Sequence, residues 1–323
     1  MGQPSSPRGL IVDLITPLKS SSDIDGRGLG RQLDRVLPHV QALFIAGPHV
    51  GEGRNLEPTQ REELLEKTLV VVRGRVPVLI WISGETEDET RTTLAILERR
   101  AQKRDDGSQI VWVDTPLYYH SNRGLPALYQ SLLSQTERPC LLYNDPELIK
   151  ALARPLKRNN IRTSILKELV QIPGVCGLIF QGPLDRARNY HHVTLSRSDF
   201  RLYDGDEFQF LNHPSLSGVV SAGANLVPRA WQRITVSSLN QGADQKAYPD
   251  YLHQIWETGA YLRDMREIYR AEPIHIIKQV LSDMGTIEEP ASTSKADSTP
   301  HDLRRLKEIM AGHGDYQPKD AAC

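Results

Sequence analysis

The chain has 323 residues, with 39 Lys plus Arg against 40 Asp plus Glu and a formal net charge of −1. That length suits a single α/β barrel, and so balanced a charge excludes a strong global field for nucleic acid or an anionic membrane. The three cysteines, Cys140, Cys176 and Cys323, make neither a disulfide framework nor a CxxC metal pattern.

Two of those cysteines lie in apolar, strand-like runs, which fits a reducing compartment. Met1 to Arg8 is polar and lacks the apolar core of a signal peptide. No apolar run approaches the ~18 residues of a membrane span. The expectation is a soluble, cytoplasmic chain with no nucleic-acid or membrane partner.

Gly9 to Pro17 reads as a first strand ended by proline. Arg27 to Val40 carries Leu29, Leu33, Val36, Leu37 and Val40 at helical spacing. Ala42 to Gly47 is a second strand, followed by a glycine-containing loop from Pro48 to Asn55. Thr59 to Arg73 is a helix in which Thr59 and Glu62 have capping-box spacing. Val76 to Ser83 is strand three, Glu87 to Lys103 a helix, and Gln109 to Asp114 strand four. Gly124 to Ser134 is a helix, and Pro139 to Pro146 reads as strand five running into a loop.

Ser164 to Gln171 is a helix leading into strand six, Val175 to Gly182. Leu184 to Val193 is helical. Phe200 to Asp204 is strand seven, and Ser217 to Ala222 is strand eight. Tyr251 to Tyr269 and Pro273 to Asp283 are further helices. Glu288 to Ser298 has the Ser, Thr, Pro and charge of a linker. His301 to Met310 forms one more helix, with the last dozen residues frayed. This divides the chain into a barrel over 1–235, a C-terminal helical region over 236–287, and a linker, short helix and flexible tail over 288–323.

Eight apolar strands alternating with helices imply parallel pairing through right-handed crossovers, enough to close a (β/α)8 TIM barrel with additional C-terminal helices. An open doubly wound sheet is the runner-up. Gly26-x-Gly28-x-Gly30 superficially matches a dinucleotide loop, but it follows no strand directly and its final spacing is wrong.

In such barrels the reactive groups lie at the C-terminal ends of the strands. Here those ends carry Thr16-Pro17, Gly47-Pro48-His49-Val50-Gly51-Glu52, Pro116-Leu117-Tyr118-Tyr119, Tyr143-Asn144-Asp145-Pro146, Asp204-Gly205-Asp206 and Asn225-Leu226-Val227-Pro228. Asp204 and Asp206 form a DxD, a pattern of loops and helix caps more than of metal sites, and no metal or cofactor is expected. His191-His192 reads as helix surface.

In this order the pieces resemble the dihydrodipicolinate synthase and N-acetylneuraminate lyase family, over roughly Gly9 to Gly285. Leu142-Tyr143-Asn144-x-Pro146, Gly51-Glu52-x-x-x-Leu56 and Gly218-Val219-Val220-Ser221-x-x-x-Asn225-x-x-Pro228 carry the likeness in combination. The resemblance implies a class I aldolase barrel, often a dimer or tetramer, in which a strand-six lysine forms an imine with pyruvate or another 2-oxo acid. It implies a proton relay through Tyr143 and, across a subunit contact, a second tyrosine that Tyr118 matches without a gap and Tyr119 with one. It also implies a hydroxyl-bearing turn after strand two that holds the substrate carboxylate, and an arginine shortly after strand five.

Three of those parts are replaced. The lysine falls at Ile179, or at Phe180 if one residue is gapped, and the nearest upstream lysine, Lys167, lies in the preceding helix. The turn has become Pro48-His49-Val50, in which His49 supplies a cation or donor. The arginine is Leu148. Without the nucleophile the iminium pathway is absent, whereas a proton relay alone is worth only ~10²–10⁴-fold.

Three readings follow. The first is a catalytically degenerate homologue that acts by binding a small 2-oxo acid or by assembly with itself or an active paralogue. The second is a lyase or hydro-lyase that uses Tyr143 and Tyr118 in proton transfer without an imine. The third is an imine-forming lyase whose lysine comes from elsewhere in the fold. Thr16, His49, Gln181 and Asp204 are the expected ligand-binding residues.

Overall fold

The computed structural model describes residues 6–103, 107, 109–153, 158–214, 217–239, 250–293 and 300–319. Cys323 and part of the expected linker, 294–298, lie outside the described residues. Eight parallel strands close into a barrel in chain order: β1 Gly9–Asp13, β2 Ala42–Ile45, β3 Val78–Trp81, β4 Ile110–Asp114, β5 Cys140–Asn144, β6 Val175–Phe180, β7 Arg201–Asp204 and β8 Gly218–Ser221. β8 pairs with β1, with Leu10 opposite Val219, so no sheet edge is left open.

The strands are apolar over most of their length, with polar residues mainly at their ends, because both of their faces are covered, one by the packed interior and one by the helices. That continuous pattern made them legible. Gly26 to Gly30 opens a helix, Gly26–Val36, capped by the Asp25 carboxylate on Gly28 N at 2.8 Å. It is not a dinucleotide loop, and the doubly wound alternative falls with barrel closure.

The helix expected from Thr59 begins at Pro58 and runs to Val72. Its capping box is Glu57 with Gln60, not Thr59 with Glu62. The proline decides this, because its fixed φ and missing N–H suit the first helical position. A helix that the sequence reading did not name, Pro228–Ser238, follows β8 and buries Trp231.

Beyond the barrel, helix Asp250–Tyr269 packs against helices Glu207–Asn212 and Pro228–Ser238, and helices Pro273–Asp283 and Pro300–Gly312 pack against it and each other. The first part of the expected linker is docked there. Leu18 bridges to Ala291, and Thr293 N donates to Glu52 Oε1 at 2.6 Å. Glu52 also pairs with Lys278, which is fully buried on helix Pro273–Asp283. Where fraying was expected, His313 stacks on Tyr261 at 3.9 Å and Tyr261 donates to Asp315 at 2.9 Å.

Candidate functional site

Several of the chain's titratable groups converge at the C-terminal mouth of the barrel. A cavity of about 250 Å³ is lined there by Asp13, His49, Tyr143, Gln181, Asp206 and Glu207, with Arg266 and Arg270 on its outer side. A larger cavity, about 690 Å³, lies outside the barrel between β6, β7 and helix Leu184–Thr194. The smaller one carries the convergent polar groups and stands at the strand ends where such barrels place their chemistry.

Each side chain reaches the mouth for a local reason. The loop after β2 is folded tightly on itself: a Cβ at Gly53 would collide with the Ala46 carbonyl, and one at Gly51 with the Gly47 backbone. Its tip carries His49, whose Nε2 lies 2.5 Å from Asp145 Oδ2. Asp145 is fixed in turn by capping helix Pro146–Ala151, accepting from Glu147 N at 3.1 Å and Leu148 N at 3.0 Å. Asn144 ties the same loop down, accepting from Ile161 N at 2.9 Å.

Burial opposes a charge on His49, but the Asp145 hydrogen bond and the nearby carboxylates outweigh it, so the imidazole titrates above its ordinary 6.5. Asp145 is burdened by burial too, yet the His49 bond and the two backbone donors hold it below the usual carboxylate range. The two describe one short ion pair with 37% of the histidine surface open and the aspartate enclosed.

Tyr143 stands edge-on to His49 and accepts from Gln181 Nε2 at 2.8 Å; Gln181 also donates to Gly205 O at 2.9 Å. Burial, with Asp145 and Asp13 nearby, raises the phenol well above its ordinary value, so it stays protonated. On β6 the side chain opposite Tyr143 in register is Ile179, fully buried. Phe180 points the other way and packs edge-on against Tyr190 of the outer helix at 5.2 Å. The stretch Val175 to Gly182 contains no lysine.

Two carboxyls complete the wall, and neither was singled out from the sequence. Asp13 ends β1; burial pushes it up to about 7, with His49 opposing and Glu207 adding to the rise. Its Oδ1 is enclosed without a hydrogen-bond partner. Glu207 is also raised by burial, although Ser221 Oγ at 2.6 Å, Gly223 N at 2.7 Å and the Tyr269 hydroxyl at 2.6 Å all donate to it. Arg266 binds Asp206 at 2.8 Å, and Asp206 caps the short helix Glu207–Asn212.

Of the expected residues, Tyr143, His49 and Gln181 are brought together. Thr16 is fully buried, its hydroxyl donating to Gly51 O at 2.7 Å, so it braces the β2 loop. Asp204 lines the outer cavity instead. Tyr118, only 3% exposed, packs edge-on to Trp81 and lines a separate cleft with Arg54 and Arg61. Its neighbour Tyr119 donates to Asp114 at 2.9 Å. His191 and His192 line the outer cavity.

Among the described residues, no helix is long and apolar enough to cross a membrane, and no three His, Cys, Asp or Glu side chains are grouped to hold a metal ion.

The arrangement offers a protonated phenol, an imidazole held ready to be charged, a carboxyl near neutrality and two guanidinium groups around a small void. Such a set can bind an organic anion and move protons.

Comparison with known proteins agrees with this architecture. Residues 6–298 match the model of the dihydrodipicolinate synthetase family. The 4-hydroxy-tetrahydrodipicolinate synthase of Xylella fastidiosa is 30% identical over 70% of this chain and 71% of its own length. That of Thermotoga neapolitana is 27% identical over 95% and 99%. Among solved structures, a monomeric dihydrodipicolinate synthase variant superposes with a TM-score of 0.78 at 21% identity, covering 95% of this chain and 97% of the other. A prophage protein of the same family from E. coli K12, in complex with pyruvate, gives 0.76 at 19%, covering 95% and 99%. The chain belongs to the dihydrodipicolinate synthetase family.

Proposed function

We propose that this chain is a divergent family member without ordinary Schiff-base aldolase activity, whose barrel mouth binds a small 2-oxo acid or related organic anion. One observation carries the reading. The inner-face residue of β6 opposite Tyr143 is Ile179, and no lysine stands anywhere in that strand. An amine that cannot reach the ketone cannot form the iminium that serves as electron sink. Phe180, the other candidate position, faces the outer helix and is removed from consideration.

The test is reductive trapping. The intact chain is incubated with pyruvate and borohydride, and its mass is measured. No adduct is expected. A stoichiometric adduct, mapped to one lysine, would overturn the reading and name the nucleophile.

A second reading, an imine-free lyase or hydro-lyase, is favoured by Asp13, a carboxyl near neutrality beside the protonated Tyr143. A proton acceptor and a proton donor in one void are the requirement for such chemistry. Within one chain Tyr118 lines a different cleft, so its part in this reading is proton transfer across a contact with a second subunit. This reading predicts turnover of some 2-hydroxy or 2-oxo acid that Tyr143→Phe abolishes; unchanged turnover in that variant removes it. Assembly as a homo-oligomer, or with an active paralogue, is the remaining part of the proposal, and light scattering of the purified chain tests the former directly.

A further inference from the structure

The central cavity is lined by polar groups that are almost all committed to one another. His49 is held by Asp145, Tyr143 by Gln181, Asp206 by Arg266, and Glu207 by Ser221, Gly223 and Tyr269. Asp13 is the exception. It is 7% exposed, its carboxyl lines the void, and its Oδ1 is enclosed without a partner. A buried polar group left unsatisfied calls for an explanation, and a ligand that donates to it is one. Asp13 also lies against the β2 loop: the atom that a Cβ at Gly47 would strike is Oδ1, so a ligand in the void meets the carboxyl at its other oxygen.

The same void is also lined by a largely exposed cation. Arg270 is 58% exposed and meets Glu267 at 3.3 Å, while Arg266 is already shared between Asp206 and Glu267. The void, about 250 Å³, falls below the ~300–1,000 Å³ typical of drug-sized ligands. A ligand of few heavy atoms can therefore span from Asp13 to the arginine side.

We propose that this cavity takes a small carboxylate bearing a hydrogen-bond donor on its 2-carbon, with the donor on the Asp13 carboxyl and the ligand carboxylate toward Arg270. The inference rests on the imine-free reading above. With Ile179 on the inner wall, the 2-carbon is recognised by hydrogen bonding and not by attack. An ionised carboxylate is an acceptor only, so it discriminates a hydroxyl from a ketone at that carbon. Sites built to hydrogen-bond a hydroxyl reject analogues lacking it, because the site's own group is then left bare.

Calorimetric titration of the full chain tests this at about pH 8.5, where Asp13 is ionised. The probes are pyruvate, both lactate enantiomers, 2-oxoglutarate and both 2-hydroxyglutarate enantiomers. The wild type should bind at least one 2-hydroxy acid roughly ten-fold tighter than its 2-oxo counterpart. Asp13→Ala should abolish that ratio while moving the 2-oxo acid's Kd by less than about three-fold, and Arg270→Gln should weaken both alike. If Asp13→Ala does not fold, Asp13→Asn should cut the ratio by at least about three-fold, since a neutral acceptor is weaker.

No binding of any 2-hydroxy acid at about 10 mM, no preference for one, or a preference that survives the loss of Asp13, each overturns the inference. Borohydride trapping with pyruvate keeps the two levels apart. An adduct overturns the imine-free reading itself. Its absence together with no hydroxyl preference overturns only the role given to Asp13.

Discussion

Replacing Asp13 by Asn keeps the shape of the side chain and removes a charge from the centre of the barrel mouth. In the folded chain burial pushes this carboxyl from an ordinary 3.8 up to about 7. Between those values the folded state holds a proton that the unfolded state has released. Stability therefore falls as the pH rises through that window and levels off above about 7. Each pH unit is worth about 1.4 kcal/mol, so the whole cost of ionising Asp13 in place is about 4 kcal/mol at pH 8. With 93% of the residue enclosed, solvent does little to reduce it.

Asp13→Asn should escape that cost. Its unfolding free energy in urea should match the wild type's near pH 4 and exceed it by up to about 4 kcal/mol at pH 8, at an unchanged m-value. Titrations away from the cavity are common to both proteins, so the difference between the two curves reads Asp13 together with its coupling to His49 and Glu207. Parallel curves from pH 4 to pH 8 would refute the claim that this carboxyl is held near neutrality. A large difference with the opposite sign would mean that Asp13 is stabilised as an anion by a partner absent from this arrangement.

Three further outcomes are expected. His49→Gln should destabilise the chain through loss of the Asp145 pair. That deficit should be fully present below pH 6.5 and shrink as the pH rises through the imidazole's elevated pKa, which urea unfolding at several pH values measures. Lys278→Met should cost about 3–5 kcal/mol by leaving Glu52 charged and buried; adding Glu52→Gln should recover part of it, and the double-mutant cycle reads the coupling. Tyr143→Phe should cost only about 1 kcal/mol, because Gln181 keeps its second acceptor at Gly205 O, and equal denaturation midpoints within that margin are the check.

What the sequence made legible followed from burial pattern. Strands covered on both faces read as unbroken apolar runs, and β1 to β8 were found that way. Helix Pro273–Asp283, introduced by proline at its first position, was placed to the residue. Helix Pro228–Ser238 went unread because Thr, Val and Ser in its second half blur the period. Its start, again a proline, was the available signal. At the site, the strand-end rule found His49, Tyr143 and Gln181. It missed Asp13, although a lone carboxylate closing the run Leu10-Ile11-Val12 is itself a signal. It also missed Asp145 as the partner of His49, which stands 96 positions away. Arg266 comes from helix Asp250–Tyr269 outside the barrel and Arg270 from the turn that ends it, and no local pattern encodes their docking. Thr16 and Tyr118 lie away from the central cavity of this one chain, because lying at a strand end does not say which way the side chain turns; the part expected of Tyr118 belongs to a subunit contact.

The lysine that is buried among the described residues strengthens the proposal of imine-free chemistry. Lys278 is enclosed and burial lowers its pKa, the usual way of making an amine nucleophilic. It does not line the central cavity. Its ammonium is held by Glu52 and donates to Ala291 O at 2.6 Å, so it works as the pin that fastens the C-terminal segment to the β2 loop. To meet a ketone it would have to abandon a buried carboxylate, which then also strains the Thr293 contacts that Glu52 accepts. That rupture carries the cost of a broken buried pair before any bond to substrate is made. The β2 loop that Lys278 secures is the one that carries His49 to the mouth. Lys278→Met should therefore disturb ligand binding through His49 and leave the mass spectrum after borohydride treatment unchanged from that of the wild type.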